Sequence, residues 1–391
     1  MIDRVIILIF DSLGIGELPD AEAYGDAGAN TLANLAAAVG GMRLPVLAEL
    51  GLGNIADIPG VAPAAEPLAC YGKMAEKSHG KDTTVGLWEM MGLITVNPFP
   101  VFPGGFPPDV IGAFEHEIGC PIIGNKAASG TEIIEELGPE HMRTGRPIVY
   151  TSADSVFQIA AHEDVVPTEK LYDMCMAARG ILKGSLGVDR VIARPFTGRP
   201  GSFVRTEKRK DFGLPPTGKM VLDYAAEAGV RVVSIGKVWD VFSGRGIKET
   251  VKTKNNKEAF AKTTERIREG KPGIVFTILG DFDTLWGHRD DIDGYAKGLL
   301  EADSSLKRLL KALKESDVLL IAADHGCDPT FPGTDHTREY VPLLMFGEGL
   351  KNGVNVGVRM TFADAGRTVA EILGFPAPVS GISFAKDILK S

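Results

Sequence analysis

Short β-branched runs alternate with stretches whose apolar residues return at three- and four-residue steps through the first and last thirds of the chain. This pattern predicts an α/β fold with a mostly parallel central sheet flanked by helices. The strand pattern falls on residues 4–10, 231–236, 273–279, 317–322 and 341–346, and the helical pattern on 31–38, 84–92, 217–228, 256–269, 291–314 and 363–374. Between these thirds, Asn97-Pro-Phe-Pro-Val-Phe-Pro-Gly-Gly-Phe-Pro-Pro108 holds five prolines, which withhold backbone donors and block helix; Leu214-Pro-Pro-Thr-Gly218 makes a second break. The bracketed segment has its own strand patterns at 147–150, 156–160 and 188–193 and helical ones at 108–118 and 167–182. We therefore expect a discontinuous core, residues 1–98 completed by 217–391, with a smaller α+β cap domain inserted at 99–216. A length of 391 residues, beyond what one hydrophobic core usually organises, agrees with two domains.

Composition narrows the partners. Apolar residues at 44% and charged residues at 24% support packed cores and argue against a disordered chain. A formal net charge of −9 disfavours nonspecific nucleic-acid binding, which needs lysine and arginine to neutralise many phosphates. Against that balance, Arg190, Arg194, Arg199, Arg205, Lys208, Arg209 and Lys210 cluster in one stretch, which reads either as a solvated basic surface or as an anion-binding wall. Cys70, Cys120, Cys175 and Cys327 lack the spacing of a disulfide or zinc framework and fit a reducing compartment. The six-residue apolar run Val5–Phe10 is far short of the roughly 20 residues a membrane span needs. A cytoplasmic protein with no membrane and no nucleic-acid partner is the expectation.

Asp11 closes the first strand pattern, and Asp283 and Asp324 follow two others. Ligands of open α/β sheets gather beyond the carboxyl ends of the strands, so these carboxylates are expected to meet at strand ends, with His288, His325 and His336 in the loops nearby. Taken singly, an Asp–His pair after a strand is equally well a structural hydrogen-bonded pair; four separate segments together point to a composite metal site. Mixed carboxylate and imidazole ligands favour a pair of divalent transition ions over calcium. Two such ions outweigh three aspartates and leave a site suited to phosphate, and metals about 3.5–4 Å apart stabilise the attacking and leaving oxygens of phosphoryl transfer. Gly80-Lys-Asp-Thr83-Thr84 puts hydroxyls just before a helix pattern, where the helix N-terminus stabilises anions. Thr83 is a candidate nucleophile that would need metal coordination for activation. Thr84 is an equal local candidate, and a simple threonine N-cap is the structural alternative. Lys237, reached through Gly236, is a possible phosphate partner, and the soft thiol of Cys327 reads as structural.

The series Asp11-Ser-Leu-Gly-Ile-Gly16, Gly80-Lys-Asp-Thr83, Tyr150-Thr-Ser-Ala-Asp-Ser155, Ile192-Ala-Arg-Pro-Phe196, Asp281-Phe-Asp283 to His288, and Ala323-Asp-His325 through Gly333-Thr-Asp-His-Thr-Arg-Glu-Tyr340 strongly resembles the prokaryotic phosphopentomutase family of the alkaline phosphatase superfamily. The likeness spans nearly the whole chain. It implies an alkaline phosphatase-like core and interconversion of α-D-ribose 1-phosphate with D-ribose 5-phosphate, and of the 2-deoxyribose pair, in nucleoside salvage. It implies two Mn²⁺, other divalent ions being possible, one on Asp11, Asp324, His325 and the Thr83 oxygen, the other on Asp283, His288 and His336. Thr83 would be the phosphorylated residue. Ser152, Asp154, Arg190, Ile192 and Arg205 of the cap, with Lys237 of the core, would bind the pentose phosphate. Transfer would pass through a pentose 1,5-bisphosphate under a closed cap that excludes water, primed by a sugar bisphosphate such as glucose 1,6-bisphosphate. Val85, Leu87 and Cys327 look less typical of the family. Rival readings are a phosphatase or phosphodiesterase on the same metal core, a cofactor-independent phosphoglycerate mutase (a longer chain with a serine nucleophile), and a regulatory metal-binding protein.

Overall fold

The computed structural model describes residues 2–152 and 154–390. They form two compact units, Met1–Asn97 with Pro216–Ser391, and Pro98–Pro215, so proline stands at both boundaries. In chain order the strands are β1 (Arg4–Phe10), β2 (Cys70–Met74), β3 (Ile123–Ala127), β4 (Ile148–Thr151), β5 (Val156–His162), β6 (Arg190–Thr197), β7 (Val204–Arg205), β8 (Lys210–Gly213), β9 (Val232–Ile235), β10 (Glu249–Val251), β11 (Gly273–Leu279), β12 (Asp317–Ala322), β13 (Val341–Phe346) and β14 (Asn355–Arg359).

The first unit is organised on an eight-stranded sheet of order β10-β9-β11-β1-β12-β13-β2-β14. Every neighbouring pair is parallel except the two that β13 makes. Every residue of β1, β11 and β12 is buried, as unbroken apolar runs demand of strands covered on both faces. Flanking helices include Thr31–Ala38, Asn256–Glu269, Ile292–Leu310 and Ala363–Ile372. Register then aligns the ends: Phe10 lies opposite Leu279 and Ile9 opposite Ala322, so three chains leave the sheet at one edge. β10 gave no sequence signal because it is only three residues long, and β2 and β14 because glycine, lysine and asparagine interrupt their apolar pattern.

The second unit carries the mixed sheet β3-β4-β5-β6-β7, with β8 also paired to β6. Phe106, Val110, Phe114, Phe157, Leu171 and Val191 belong to its main core. A helix at Gly130–Thr144 was absent from the sequence expectation; Gly138-Pro139 breaks its pattern, yet it buries Ile133 and Ile134. Among the described residues, no helix is long and apolar enough to cross a membrane.

One helix of the first unit bears directly on the site. Thr83–Met90 is almost wholly buried, and at Gly86 an added Cβ would come 2.0 Å from the Asp324 carbonyl oxygen. Only a residue without a side chain lets the helix sit on that backbone. We expect Gly86→Ala to lose about 1–3 kcal/mol through overpacking, read as a lower urea midpoint; an unchanged midpoint would show that the contact is slack.

Candidate active site

Asp11 is the first residue after β1 and is fully buried, and Asp324 follows β12 by two residues. Ser12 ties them together: its amide donates to Asp324 Oδ1 at 3.0 Å, while the Tyr295 hydroxyl donates to its carbonyl at 3.1 Å. These contacts hold Ser12 at φ +76°, a left-handed conformation uncommon for serine. Asp283 departs from expectation. It lies four residues beyond Leu279, inside a wide helical turn at Phe282–Trp286. The intervening Asp281 accepts from the Asn256 amide at 2.7 Å and donates its own amide to Asn256 Oδ1 at 3.1 Å, anchoring the turn.

All six sequence-assigned ligand residues converge. Atoms of Asp11, Asp324 and His325 lie within 4.8 Å of one another, as do those of Asp283, His325 and His336, so His325 belongs to both groups. His336 Nε2 stands 3.0 Å from both Asp283 Oδ1 and His288 Nε2, and His288 Nε2 is 3.3 Å from Asp283 Oδ1. His288 Nδ1 donates to the Thr334 carbonyl at 2.6 Å and His325 Nδ1 to the Gly326 carbonyl at 3.0 Å. A carbonyl only accepts, so both rings direct Nε2 into the cluster, the arrangement that orients imidazole ligands. Cys327 also lies within reach of Asp283 and His288, but burial raises its thiol strongly, which leaves it a poor donor.

The charges are strongly interdependent. Burial, then the neighbouring Asp11 carboxylate, pushes Asp324 up to about 7. Burial also works against ionising Asp11, but the Lys237 ammonium, 2.6 Å from Oδ2, holds it below its usual value. The two carboxylates therefore titrate as a pair, and burial beside each other opposes ionising both at once. Although burial opposes a charged ring, Asp324 and Asp11 raise His325 to about 10; burial and then His325 push His336 down to about 4. Among the described residues Asp324 Oδ2 is buried without a hydrogen-bond partner, and Asp11 Oδ2 meets Lys237 as an ion pair without hydrogen-bond alignment. Orphaned carboxylate oxygens facing imidazole nitrogens form an oxygen-and-nitrogen donor set that fits divalent metal.

The hydroxyl beside this cluster is that of Thr83. Asp82, rather than Thr83, is the N-cap of the helix Thr83–Met90, its Oδ1 accepting from the Val85 amide at 3.0 Å. The Thr83 hydroxyl is thereby spared for the cluster. Its Oγ1 lies 3.1 Å from Lys237 Nζ, 3.2 Å from His325 Nε2 and 3.4 Å from Asp11 Oδ1. Local sequence does not distinguish it from Thr84, because these contacts come from the residue after β1, from the loop after β12 and from Lys237.

Ser152, Asp154, Arg190, Ile192 and Arg205 all belong to the second unit; Ala153, inside that motif, lies outside the described residues. Alternation along β6 puts Arg190, Ile192 and Arg194 on one face, while Val191 and Ala193 enter the unit's core. Arg190 pairs with Asp189 at 2.9 Å and Asp211 at 3.6 Å. Arg205 packs on Gly130, where an added Cβ would strike its guanidinium. Arg194, which the motif reading passed over, is pushed down to about 10 by burial and by Arg209, a sign of crowded guanidinium groups. The basic run is therefore mixed: Lys208 and Arg209 pair with Glu163 and Asp211, whereas Arg194 hydrogen-bonds to the neutral Gln158.

The model of the Metalloenzyme superfamily matches residues 3–377. The chain is 55% identical over 388 residues to the phosphopentomutase of Caldanaerobacter subterraneus subsp. tengcongensis, covering 99% of this chain and 98% of that protein. It is 56% identical over 387 residues to the phosphopentomutase of Carboxydothermus hydrogenoformans, covering 99% and 100%. Among solved structures, the PH0037 protein from Pyrococcus horikoshii aligns with a TM-score of 0.51 at 15% identity, covering 97% of this chain and 100% of that one, a likeness of fold alone.

Metal binding and protonation must compete at this site. Asp324 holds a proton below about 7 and His325 below about 10, and both must lose it to ligate. Divalent affinity should therefore rise as pH climbs through neutrality. Calorimetric titration with Mn²⁺ as the probe, in buffers of different ionisation heat, should show net proton release; affinity independent of pH between about 6 and 8 would contradict this.

Proposed function

The chain belongs to the phosphopentomutase family of the Metalloenzyme superfamily, and from that premise we propose that it interconverts α-D-ribose 1-phosphate and D-ribose 5-phosphate, with their 2-deoxy counterparts, through a phosphorylated Thr83. It is an isomerase of the mutase type, working on small sugar phosphates. One observation carries the mechanistic reading: the Thr83 hydroxyl stands at a helix N-terminus within 3.1–3.4 Å of Lys237, His325 and Asp11.

Two Mn²⁺ would be held by Asp11, Asp324 and His325 with the Thr83 oxygen, and by Asp283, His288 and His336; when bound they supply charge neutralisation for the phosphoryl group. The remaining steps belong to the protein. The positive end of the helix Thr83–Met90 and the Lys237 ammonium favour a dianionic phosphate on Thr83. The sugar hydroxyl attacks phosphorus in line. Its new P–O bond forms as the bond to Thr83 Oγ1 breaks, giving a pentose 1,5-bisphosphate. After reorientation the other phosphate returns to Thr83 by the reverse displacement, and the isomeric monophosphate leaves. Ser152, Asp154, Arg190, Ile192 and Arg205 are the residues we assign to the sugar ester. The guanidinium groups hold the phosphate that is not being transferred, since a planar fork grips two oxygens at once. A sugar bisphosphate such as glucose 1,6-bisphosphate rephosphorylates Thr83 after any loss to water. We place this chemistry in the cytoplasm, in nucleoside salvage.

Phosphorus NMR distinguishes mutase from hydrolase. With Mn²⁺, trace glucose 1,6-bisphosphate and ribose 5-phosphate, the ribose 1-phosphate resonance should grow; inorganic phosphate alone would reject the mutase. Thr83→Ala should remove the phosphoenzyme from the intact-mass spectrum and lower turnover by at least about 10³-fold, the scale of a lost covalent step. A phosphate that survives this substitution would have to sit elsewhere.

A further inference from the structure

Arg338, two residues beyond His336, is only 2% exposed, and neither the metal cluster nor the sugar ester accounts for it. Its guanidinium is spent on one short piece of backbone. Nη1 donates to the carbonyls of Ser78 at 2.9 Å and Gly80 at 2.6 Å, and Nη2 to that of Glu76 at 3.0 Å. Glu76 Oε2 at 2.8 Å and Asp20 Oδ2 at 3.0 Å also accept from it. The Arg338 amide donates to Asp26 Oδ2 at 2.8 Å, and Asp26 in turn binds Lys81 Nζ, which also reaches Asp335 at 3.1 Å. Glu89 accepts the amides of Lys77 at 2.9 Å and Ser78 at 2.5 Å. Arg338 thus holds carbonyls and Glu89 holds amides of residues 76–80, and Thr83 follows three residues later.

We propose that Arg338 is a positioning residue for phosphoryl transfer: it locks the segment leading to Thr83 onto the segment carrying His336, so that nucleophile and metal cluster keep one spacing. The proposal rests on Thr83 as the phosphorylated residue, which the Thr83→Ala spectrum tests separately. Lysine at position 338 keeps the charge but cannot serve three carbonyls in one plane, because an ammonium lacks the planar fork. A few tenths of an ångström of drift at Thr83 should then slow transfer without weakening ground-state binding.

The test compares Arg338→Lys with Arg4→Lys. Arg4 makes an equally buried pair with Asp317, Nη2 to Oδ2 at 2.7 Å, at the opposite end of β1 from Asp11. Measured on the full chain loaded with Mn²⁺, Arg338→Lys should slow single-turnover phosphorylation of Thr83 by glucose 1,6-bisphosphate by about tenfold or more, with KM for ribose 5-phosphate and Mn²⁺ stoichiometry within about twofold. Arg4→Lys should lower thermal stability while leaving that rate within about twofold. Asp20→Asn, which loosens the guanidinium from a half-exposed partner, covers the case in which Arg338→Lys fails to fold, and should slow the step about threefold or more at unchanged KM. Wild-type phosphorylation rates in Arg338→Lys or in Asp20→Asn, or equal slowing in Arg4→Lys, would overturn the assignment.

Discussion

Everything at this site follows from the burial of three carboxylates around one imidazole: Asp11 and Asp324 lie within 4.8 Å of each other and of His325, and Asp283 lies within 4.8 Å of His325. Two like charges about 4 Å apart repel by about 4 kcal/mol at an effective dielectric of 20, and desolvation adds to that. Such a cluster persists only if cations or protons balance it. Lys237 supplies one cation, set against Asp11 at 2.6 Å and Asp283 at 3.9 Å; desolvation opposes its charge, but these carboxylates outweigh that and keep the ammonium protonated. A proton shared by the Asp11–Asp324 pair and the raised affinity of His325 for its own proton offset the rest, and divalent metal can replace both. The arrangement that makes the cluster costly alone is what gives it affinity for metal and, with metal present, for a phosphate dianion.

Parallel pairing is what brings the carboxylates together. The β1–β12 and β1–β11 registers release Asp11, Ala323 and Gly280 at one edge, and this much could be read from apolar runs ending in acidic residues. Asp283 shows where such reading stops. Its placement depends on a wide turn anchored by Asn256, a contact that periodicity does not encode. Asp82 shows the same limit: whether it or Thr83 caps the helix is settled by one hydrogen bond to Val85. In the second unit, Gly138-Pro139 hid a helix whose apolar face is nonetheless buried, because tertiary packing outweighs local propensity there. Arg338 stood in the sequence as one more charge in a polar loop; its burial appears only once residues 76–80 are folded against it.

The loops around the cluster are held by buried polar groups more than by apolar packing. Glu339, buried and without a cationic partner among the described residues, accepts from the hydroxyls of Thr31 and Thr337 at 2.6 Å and from the amides of Thr31 and Gly16 at 2.9 and 3.1 Å. Gly14 and Gly326 lie so close to this carboxylate that a Cβ at either would overlap it. One side chain thereby fixes the loop after β1 to the loop after β12, as Arg338 fixes the approach to Thr83. Burial raises Glu339 above its usual value, and its four donors offset part of that effect. Networks of this kind are stable only when every member is satisfied, so they admit few alternative geometries. Metal then enters a ligand set that is already ordered, and little of its binding free energy is spent on arranging the loops. On the function proposed above, that free energy is left to hold a phosphoryl group between Thr83 and a sugar oxygen, where an error of one ångström costs about a hundredfold in rate.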